Sequence, residues 1–368
     1  MNHITMVPSS RRVLGLIVVA MGACADGPLA VPPEGAIDLA APWVVTSPEL
    51  VGLDGNELFL AGELAGRVAR MRSLLVVRGG RLVYERYYGG WAVDTLADVR
   101  SVTKSVVSTL VGIAIERGQI DGLDQPITDF LTRPEFDVTV EHAFINVGHL
   151  VSMRSGLSWG AGGVQEYNNW VLSGDHVNYV LSQPFEAAPG ESFVYNSGAI
   201  HMLGVILEKA TGVPLPEYAD QVLFGPLGIG EREWEPLEGA YVNGSAGLDL
   251  RPRDLARFGQ LLLQEGWSGE SPIVPTAWVA EATAPRFDLG GLGPILNLSY
   301  GYLWWLDLDN DAFFAWGYAG QFVYVAPLLD LVVVATTEWR GVGDDIGSER
   351  LQEEVLRIIV DRIVPAAR

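Results

Sequence analysis

The stretch RSVTKSVV contains a serine and a lysine three positions apart, Ser101 and Lys104, which together could form a nucleophile and its base. On a helix, residues three apart lie on one face with roughly 5–6 Å between their Cβ atoms, so the hydroxyl and the amine are within reach of each other. A neutral lysine can take the proton that a serine loses as it attacks a carbonyl, and burial makes the neutral form accessible. Arginine does not deprotonate in proteins, which explains why a chain with twenty-two arginines and two lysines has a lysine here.

The elements around this pair are predicted from periodicity. Apolar residues recur every three or four positions from Val102 to Ile113, which predicts a helix that begins near Ser101 and ends near Gly118. The free N–H groups of a helix start favour developing negative charge. Before the helix, SLLVVRGGRLVYERYY over residues 73–88 predicts a β-hairpin that turns at Gly79-Gly80.

The rest of the chain is helical in the middle and strand-like at the end. Amphipathic helices are predicted over 197–212 and 251–266, and the runs YGYLWWLDL, DAFFAWGY, GQFVYVAP and DLVVVATT predict short strands before a final helix. We therefore predict an α+β fold, an α/β sandwich with an antiparallel sheet built from both chain ends (about 70–100 and 298–368) and flanking helices. A mostly helical insert is expected over about 101–297.

The first fifty residues are predicted to be a targeting segment and a linker. RRVLGLIVVAMGAC has two arginines before an apolar run that is shorter than the ~20 residues a bilayer span needs, which indicates a signal peptide over residues 1–23. Its MGAC ending resembles the bacterial lipobox, so Cys24 is a candidate for lipidation; the alternative is a plain signal peptide. Residues 24–50 are rich in Pro, Ala and Gly and are expected to form a tether, which leaves 51–368 as the folded domain. Export to the bacterial cell envelope follows, with a lipid anchor as the only membrane contact, or else a periplasmic or secreted protein.

Composition disfavours several classes of function. The formal net charge of −21 repels phosphate backbones, so no nucleic-acid partner is expected. The five histidines do not cluster at metal-ligand spacing, and we interpret His142 and His149 as structural. Because no phosphate-binding loop occurs either, neither a metal nor an organic cofactor is expected.

Five segments together resemble one known superfamily. The segment RSVTKSVVSTLVGIAIERGQIDGLDQPITDFL is similar to the first motif of the serine β-lactamases and penicillin-binding proteins. It is most similar to the class C-like branch with esterases and 6-aminohexanoate-oligomer hydrolases. HLVSMRSGL, PGESFVYNSGAIHMLGVILEKATG, GLDLRPRDLARFGQLLL and WGYAGQFVYVAP follow in the family's order, so the resemblance runs from about residue 70 to the end of the chain. It implies a β-lactamase/transpeptidase-like fold and an acyl-enzyme on Ser101, with Lys104 accepting the proton.

The resemblance also implies roles for the second and third motifs. FVYNSG supplies Tyr195, expected to hand a proton to the leaving group, and Ser197, expected to support the hydrogen-bond network. The third motif, usually Lys or His followed by Thr/Ser and Gly, is matched by Ala315-Trp316-Gly317 without a cation, so recognition of a substrate carboxylate is in doubt. The oxyanion hole would use the backbone amides of Ser101 and Tyr318, with donors worth about 3 kcal/mol each. Trp316, Gly317 and Ser197 are expected to contact substrate.

Alternatives to this interpretation remain open. GLSWG, residues 156–160, matches the nucleophile elbow of α/β-hydrolases with Ser158 as the nucleophile, but a helical segment precedes it where a strand is needed. Cleavage of small esters or linear amides is expected over β-lactamase or D-alanyl-D-alanine peptidase activity, and a non-catalytic envelope binding protein is the alternative outside enzymes. No particular oligomeric state is predicted. Further candidates to line a cleft are Tyr167, Trp170, Trp304 and Trp305.

Overall fold

The computed structural model describes residues 31–368 apart from residues 161, 238–240 and 293. Residues 32–368 form one compact unit. The predicted signal peptide and Cys24 lie outside the described residues, so export and lipidation stay predictions. In the part of the chain that the structure describes, no helix has both the length and the apolar character that crossing a bilayer requires.

Among the described residues, thirteen strands form three sheets. The strands are β1 (Met71–Arg78), β2 (Arg81–Tyr87), β3 (Ala97–Asp98), β4 (Glu233–Trp234), β5 (Leu248–Leu250), β6 (Trp267–Ser268), β7 (Ser271–Pro272), β8 (Phe287–Leu292), β9 (Ile295–Tyr300), β10 (Trp305–Asp307), β11 (Ala312–Gly317), β12 (Gln321–Ala326) and β13 (Leu331–Thr337). The main sheet is antiparallel, with the order β2-β1-β13-β12-β11-β10-β9-β8. Strands β3, β5 and β4 form a second, small sheet beside it.

The helices lie between and around these strands. They are α1 (Gly55–Ala65), α2 (Val102–Glu116), α3 (Val147–Val151), α4 (Gly163–Val171), α5 (His176–Leu181), α6 (Ser197–Thr211), α7 (Leu215–Ala219), α8 (Pro252–Leu263), α9 (Thr276–Ala282), α10 (Asp345–Ile358) and α11 (Val364–Ala366). Helices α2 and α8 pack on one face of the main sheet. Helix α1 contacts β1 and α10 at the other face of that sheet. The expected sandwich of a sheet between helical layers is confirmed.

Strand β13 shows why the sheet residues are almost continuously apolar. Because successive side chains point to opposite faces, Val332 and Val334 join the core under α2 and α8, while Val333 and Ala335 join the core under α1 and α10. A strand covered on both faces needs apolar residues at every position. The β1–β2 hairpin turns at Gly79-Gly80 with φ of 56° and 66°, the two positive angles that a tight primed turn requires.

The boundaries differ from the sequence-based expectations at two places. The main sheet includes β8 from Phe287 onward, inside the span expected to be a helical insert, because the glycine-rich FDLGGL carries little strand signal. The segment expected to be a tether packs on the domain from Ile37 onward: Leu39 is buried, and Val45 pairs with Leu82. Its scattered apolar residues cover the domain despite a composition typical of linkers.

Candidate active site

Helix α2 is buried along almost its whole length and begins directly after Ser101. Every residue from Val102 to Ala114 is buried. The hydroxyls of Ser105 and Ser108 donate to the carbonyls of Leu303 and Tyr302 at 2.7 and 2.6 Å, which satisfies these polar groups inside the core. This fully packed helix gives Ser101 and Lys104 a rigid base.

The Lys104 amine reaches the Ser101 hydroxyl, as their spacing predicts. Lys104 Nζ lies 2.8 Å from Ser101 Oγ and donates to the carbonyl of Ser245 at 2.8 Å. The lysine is 1% exposed. Burial lowers the pKa of its amine well below the usual range, and the Arg100 guanidinium lowers the pKa further. A neutral amine beside a serine hydroxyl can serve as its proton acceptor.

The loop that holds Lys104 is itself fixed by one buried amide side chain. Asn243 Oδ1 accepts hydrogen bonds from the N–H of Ser245, the hydroxyl of Ser245 and the N–H of Ala246 at 3.0, 2.9 and 3.1 Å. Asn243 Nδ2 donates to the Tyr167 hydroxyl at 2.9 Å. The carbonyl that anchors the amine of Lys104 therefore belongs to a rigid turn.

The Tyr195 phenol lies beside the same pair. Lys104 Nζ is 5.1 Å from the centroid of the Tyr195 ring. Burial raises the pKa of Tyr195 to about 12, although a contact with the Ser101 hydroxyl offsets part of this increase. A phenol with this pKa keeps its proton at neutral pH, so it can donate a proton to a departing group. Ser197, two residues on, is buried and lines the same cavity at the start of α6.

The backbone just before Ser101 takes an unusual conformation. Arg100 has φ of 50°, a left-handed value that is uncommon outside glycine. The Asp98 carboxylate accepts from the Arg100 N–H at 3.0 Å, and the Thr103 hydroxyl donates to the Arg100 carbonyl at 2.7 Å. Side chains on both sides therefore hold the turn that directs Ser101 into the cavity.

Strand β11 brings the third motif to this turn. Gly317, its last residue, and Tyr318 line the cavity together with Ser101. Neither the Ser101 N–H nor the Tyr318 N–H donates a hydrogen bond to another group among the described residues, so both are free to bind an oxyanion. A Cβ added to Gly317 would lie 2.3 Å from the carbonyl oxygen of Val99. Glycine is therefore required for β11 to approach the backbone next to Ser101.

Gly317→Ala is expected to lower turnover at least about a hundredfold, because the strand end must move away and take the Tyr318 N–H with it. Overpacking of this kind should also reduce the free energy of unfolding by about 1–3 kcal/mol. Turnover and urea denaturation of the purified variant check both effects. Gly230→Ala is the matched control, since nothing lies within 4 Å of its added Cβ. Turnover within threefold or so of the parent in Gly317→Ala would contradict the role of this strand end.

Aromatic side chains dominate the cavity above Ser101, which has a volume of about 380 Å³. Its aromatic lining comprises Trp159, Tyr167, Tyr195, Trp305, Trp316, Tyr318 and Trp339. Trp316 and Trp305 meet edge to face with ring centroids 4.9 Å apart. The predictions that Tyr167, Trp305 and Trp316 line the cleft agree with this placement.

Two of the aromatic candidates are core residues instead. Trp304 is fully buried against Phe258 and Phe313, and its neighbour Trp305 takes the side that faces the cavity. Trp170 is fully buried beside His176 and His201. Both residues stabilise the fold rather than contact substrate.

Ser158, His142 and His149 make hydrogen bonds that support the fold. The Ser158 hydroxyl donates to the Glu186 carboxylate at 2.6 Å, outside the cavity and without a preceding strand. His149 completes the cap at the start of α3, and the His142 ring accepts from the N–H of Thr139. Among the described residues, no group of His, Cys, Asp or Glu is arranged to hold a metal ion.

Sequence reasoning missed the contacts that join the segment before Ser101 and the Lys104 amine to distant loops. Asp98, Arg100 and Trp339 form a connected group, because Trp339 Nε1 donates to Asp98 Oδ2 at 2.8 Å and the Arg100 guanidinium lies 4.1 Å from the Trp339 ring centroid. Ser245 was missed as well. Among these residues, only Arg100 could have been singled out from the sequence, because it is the charged residue directly next to the expected nucleophile.

The chain belongs to the Beta-lactamase family, whose model matches residues 64–356. It is an enzyme of the serine-hydrolase type. Among curated relatives, it is 26% identical to the 6-aminohexanoate-dimer hydrolase of Paenarthrobacter ureafaciens over 290 residues, which cover 73% of this chain and 72% of the relative. It is 31% identical to esterase EstB of Burkholderia gladioli over 191 residues, 45% of this chain and 46% of the relative.

Solved structures show the same fold. A putative 6-aminohexanoate-dimer hydrolase from Bacillus anthracis superposes with a TM-score of 0.71 at 20% identity, covering 92% of this chain and 90% of that one. The hydrolase EstCE1, described with promiscuous acyltransferase activity, gives a TM-score of 0.64 at 20% identity and covers 82% and 97%. The expected β-lactamase/transpeptidase-like fold is therefore confirmed.

Proposed function

We propose that the protein hydrolyses small esters or linear amides through an acyl-enzyme on Ser101. The observation that carries this proposal is the 2.8 Å contact between the hydroxyl of Ser101 and the amine of a buried lysine whose pKa is strongly lowered. A binding protein has no need of a lysine held neutral beside a serine, because burial of that amine costs stability.

The proposed reaction passes protons between Ser101, Lys104 and Tyr195 in two half-reactions. Ser101 Oγ attacks the carbonyl carbon while Lys104 Nζ takes the hydroxyl proton, and the N–H groups of Ser101 and Tyr318 stabilise the oxyanion. Tyr195 gives its proton to the leaving oxygen or nitrogen and regains one from the Lys104 ammonium. A water molecule then attacks the acyl-enzyme and loses a proton to Lys104 Nζ. The acid leaves, and Ser101 Oγ recovers its proton from the Lys104 ammonium.

The preference for esters and linear amides rests on the third motif and on the relatives. Ala315-Trp316-Gly317 offers no cation where this superfamily places a lysine or histidine to hold a carboxylate. The aromatic lining suits an apolar or neutral acyl group. One relative is named for an amide substrate and another as an esterase, which supports both bond types as candidates.

Labelling with a fluorophosphonate probe tests the nucleophile directly. Because the probe phosphonylates an activated serine, mass spectrometry of the digested protein should find the adduct on Ser101. Ser101→Ala should lose both the label and turnover of p-nitrophenyl acetate. Ser158→Ala is the matched control and should keep both. An adduct on Ser158 would replace the nucleophile, and no adduct on the parent protein would favour a binding protein.

A further inference from the structure

Arg100 lies where a substrate in the cavity of Ser101 can reach its side chain. It lies directly before Ser101 and lines the cavity that holds Ser101. It also lines a neighbouring cavity of about 520 Å³, so it stands in the wall that the two cavities share. The side chain is only 11% exposed, which makes any unused hydrogen-bond donor on it significant.

Two aromatic rings fix the orientation of the Arg100 guanidinium group. Its carbon lies 4.1 Å from the centroid of the Trp339 ring and 5.4 Å from that of Tyr167, within the range of cation–π attraction. The Trp339 indole is fixed in turn by its 2.8 Å hydrogen bond to Asp98 Oδ2. A planar group packed between two rings presents its N–H donors in fixed directions.

Among the described residues, these donors have only weak protein partners. Nη1 reaches Asp98 Oδ2 at 3.5 Å, a long contact to an oxygen that Trp339 already occupies. Nε is enclosed without a partner. The guanidinium also interacts with the Tyr167 hydroxyl. Nη2 makes no hydrogen bond of standard geometry among the described residues and is not one of the fully enclosed nitrogens, so it keeps contact with the cavity. An arginine with free donors beside a nucleophile is suited to bind an oxygen of the substrate.

We propose that Arg100 is a specificity-determining residue that binds a neutral oxygen acceptor, such as a second carbonyl oxygen, in the acyl part of the substrate. This inference rests on the proposed function and names its substrate class: esters or amides whose acyl chain carries a further carbonyl group.

The charges around Arg100 favour a neutral oxygen over a carboxylate. The neighbouring cavity is lined by four carboxylates and only two guanidinium groups, namely Asp98, Glu233, Glu235, Asp249, Arg100 and Arg340. Asp345 lines the cavity of Ser101. A substrate carboxylate at Arg100 would meet this surplus of negative charge, whereas a carbonyl oxygen accepts the same hydrogen bonds without the repulsion.

Matched p-nitrophenyl esters test the proposal. The 4-oxopentanoate and 6-oxoheptanoate esters carry a neutral carbonyl at two distances, pentanoate and heptanoate lack it, and the hydrogen succinate and hydrogen adipate esters replace it by a carboxylate. Rates are corrected for enzyme-free hydrolysis. The parent protein should prefer at least one keto ester over its apolar match by about tenfold in kcat/KM, mainly through KM, and should use the carboxylate esters least.

Two variants assign this preference to the side chain. Arg100→Met removes the donors and should reduce the keto-to-apolar ratio to about one. Arg100→Gln keeps a neutral N–H₂ donor and should retain part of the ratio. Since the guanidinium also lowers the pKa of Lys104, comparing ratios rather than rates cancels changes in the shared chemical step. The ratios are meaningful in any variant that still turns over the apolar ester.

Each outcome bears on the proposal in a defined way. An unchanged ratio in Arg100→Met, or no keto preference in the parent protein at either length, would overturn it. A preference for the carboxylate esters would replace the neutral acceptor by an anion. If the apolar esters themselves are not hydrolysed and Ser101 takes no fluorophosphonate label, the proposed function fails first, so the two failures are distinguishable.

Discussion

Replacing Lys104 with methionine is expected to abolish turnover and, at the same time, to stabilise the fold. Without the amine, the Ser101 proton has no acceptor, and the loss in kcat should be about a thousandfold or more. Lys104→Arg should be equally inactive, because a guanidinium does not give up its proton. Turnover of p-nitrophenyl acetate measures both losses. A Lys104→Met variant within tenfold or so of the parent would refute the proposed role.

The stabilisation follows from the lowered pKa of Lys104. Burial takes the pKa of the amine well below its ordinary 10.5, so between these two values the unfolded chain binds a proton that the folded chain does not. The unfolding free energy of the parent protein therefore rises with pH in that range, by about 1.4 kcal/mol per unit. Methionine does not titrate and loses no stability in this way. The gain in unfolding free energy of Lys104→Met over the parent protein should therefore be largest at low pH and shrink as the pH approaches 10.5.

Urea denaturation at about pH 6 and about pH 9 measures this difference. Lys209→Met is the matched control: that lysine is partly exposed and pairs with Glu135 at 2.6 Å, so its loss should leave turnover intact and should not stabilise the protein. The acid limb of the parent's kcat/KM profile should likewise lie well below 10.5, because activity is lost as pH falls through the pKa of Lys104.

Tyr195→Phe is expected to separate substrates by their leaving groups. The phenol, whose pKa is about 12, is protonated at neutral pH and can supply the proton that an amine or alkoxide needs to depart. Its removal should cost about 10²–10⁴ in kcat on amides and alkyl esters. A p-nitrophenolate departs without a proton, so p-nitrophenyl esters should lose far less.

The matched control is Tyr300→Phe. Tyr300 is a buried tyrosine whose ring meets Tyr195 edge to face at 6.4 Å, and it lies outside the cavity lining. The Tyr300→Phe variant should therefore show the same ratio of amide to p-nitrophenyl ester hydrolysis as the parent protein. Equal losses on both substrate types in Tyr195→Phe would indicate that the phenol organises the site rather than donates the proton.

Local patterns predicted the features that depend on near neighbours. The Ser101–Lys104 contact joins residues three apart, the hairpin turns at two glycines, and β11, β12 and β13 follow their apolar runs. These features need only helix spacing, turn geometry and strand propensity.

Features that join distant segments were beyond such patterns. The carbonyl that holds Lys104 lies 141 positions away, and the indole that fixes Asp98 lies 241 positions away. The pair Trp304-Trp305 shows the limit most clearly: the two side chains take opposite sides, but composition alone does not indicate which one faces the cavity. Only the register of the completed sheet decides it.

Because β13 lies between β1 and β12, we expect the sheet beside the proposed active site to close late in folding. Residues 71–78 cannot find their neighbours until residues 331–337 exist, so the central sheet has a high contact order and cannot assemble while the chain is still being synthesised. Ser101 and Lys104 are synthesised early, whereas β11, which directly precedes Tyr318, pairs with β12 and through it with β13 only at this late stage. A chain that lacks β12 and β13 is therefore not expected to carry out the proposed hydrolysis, which requires the strands from both ends of the domain to have paired.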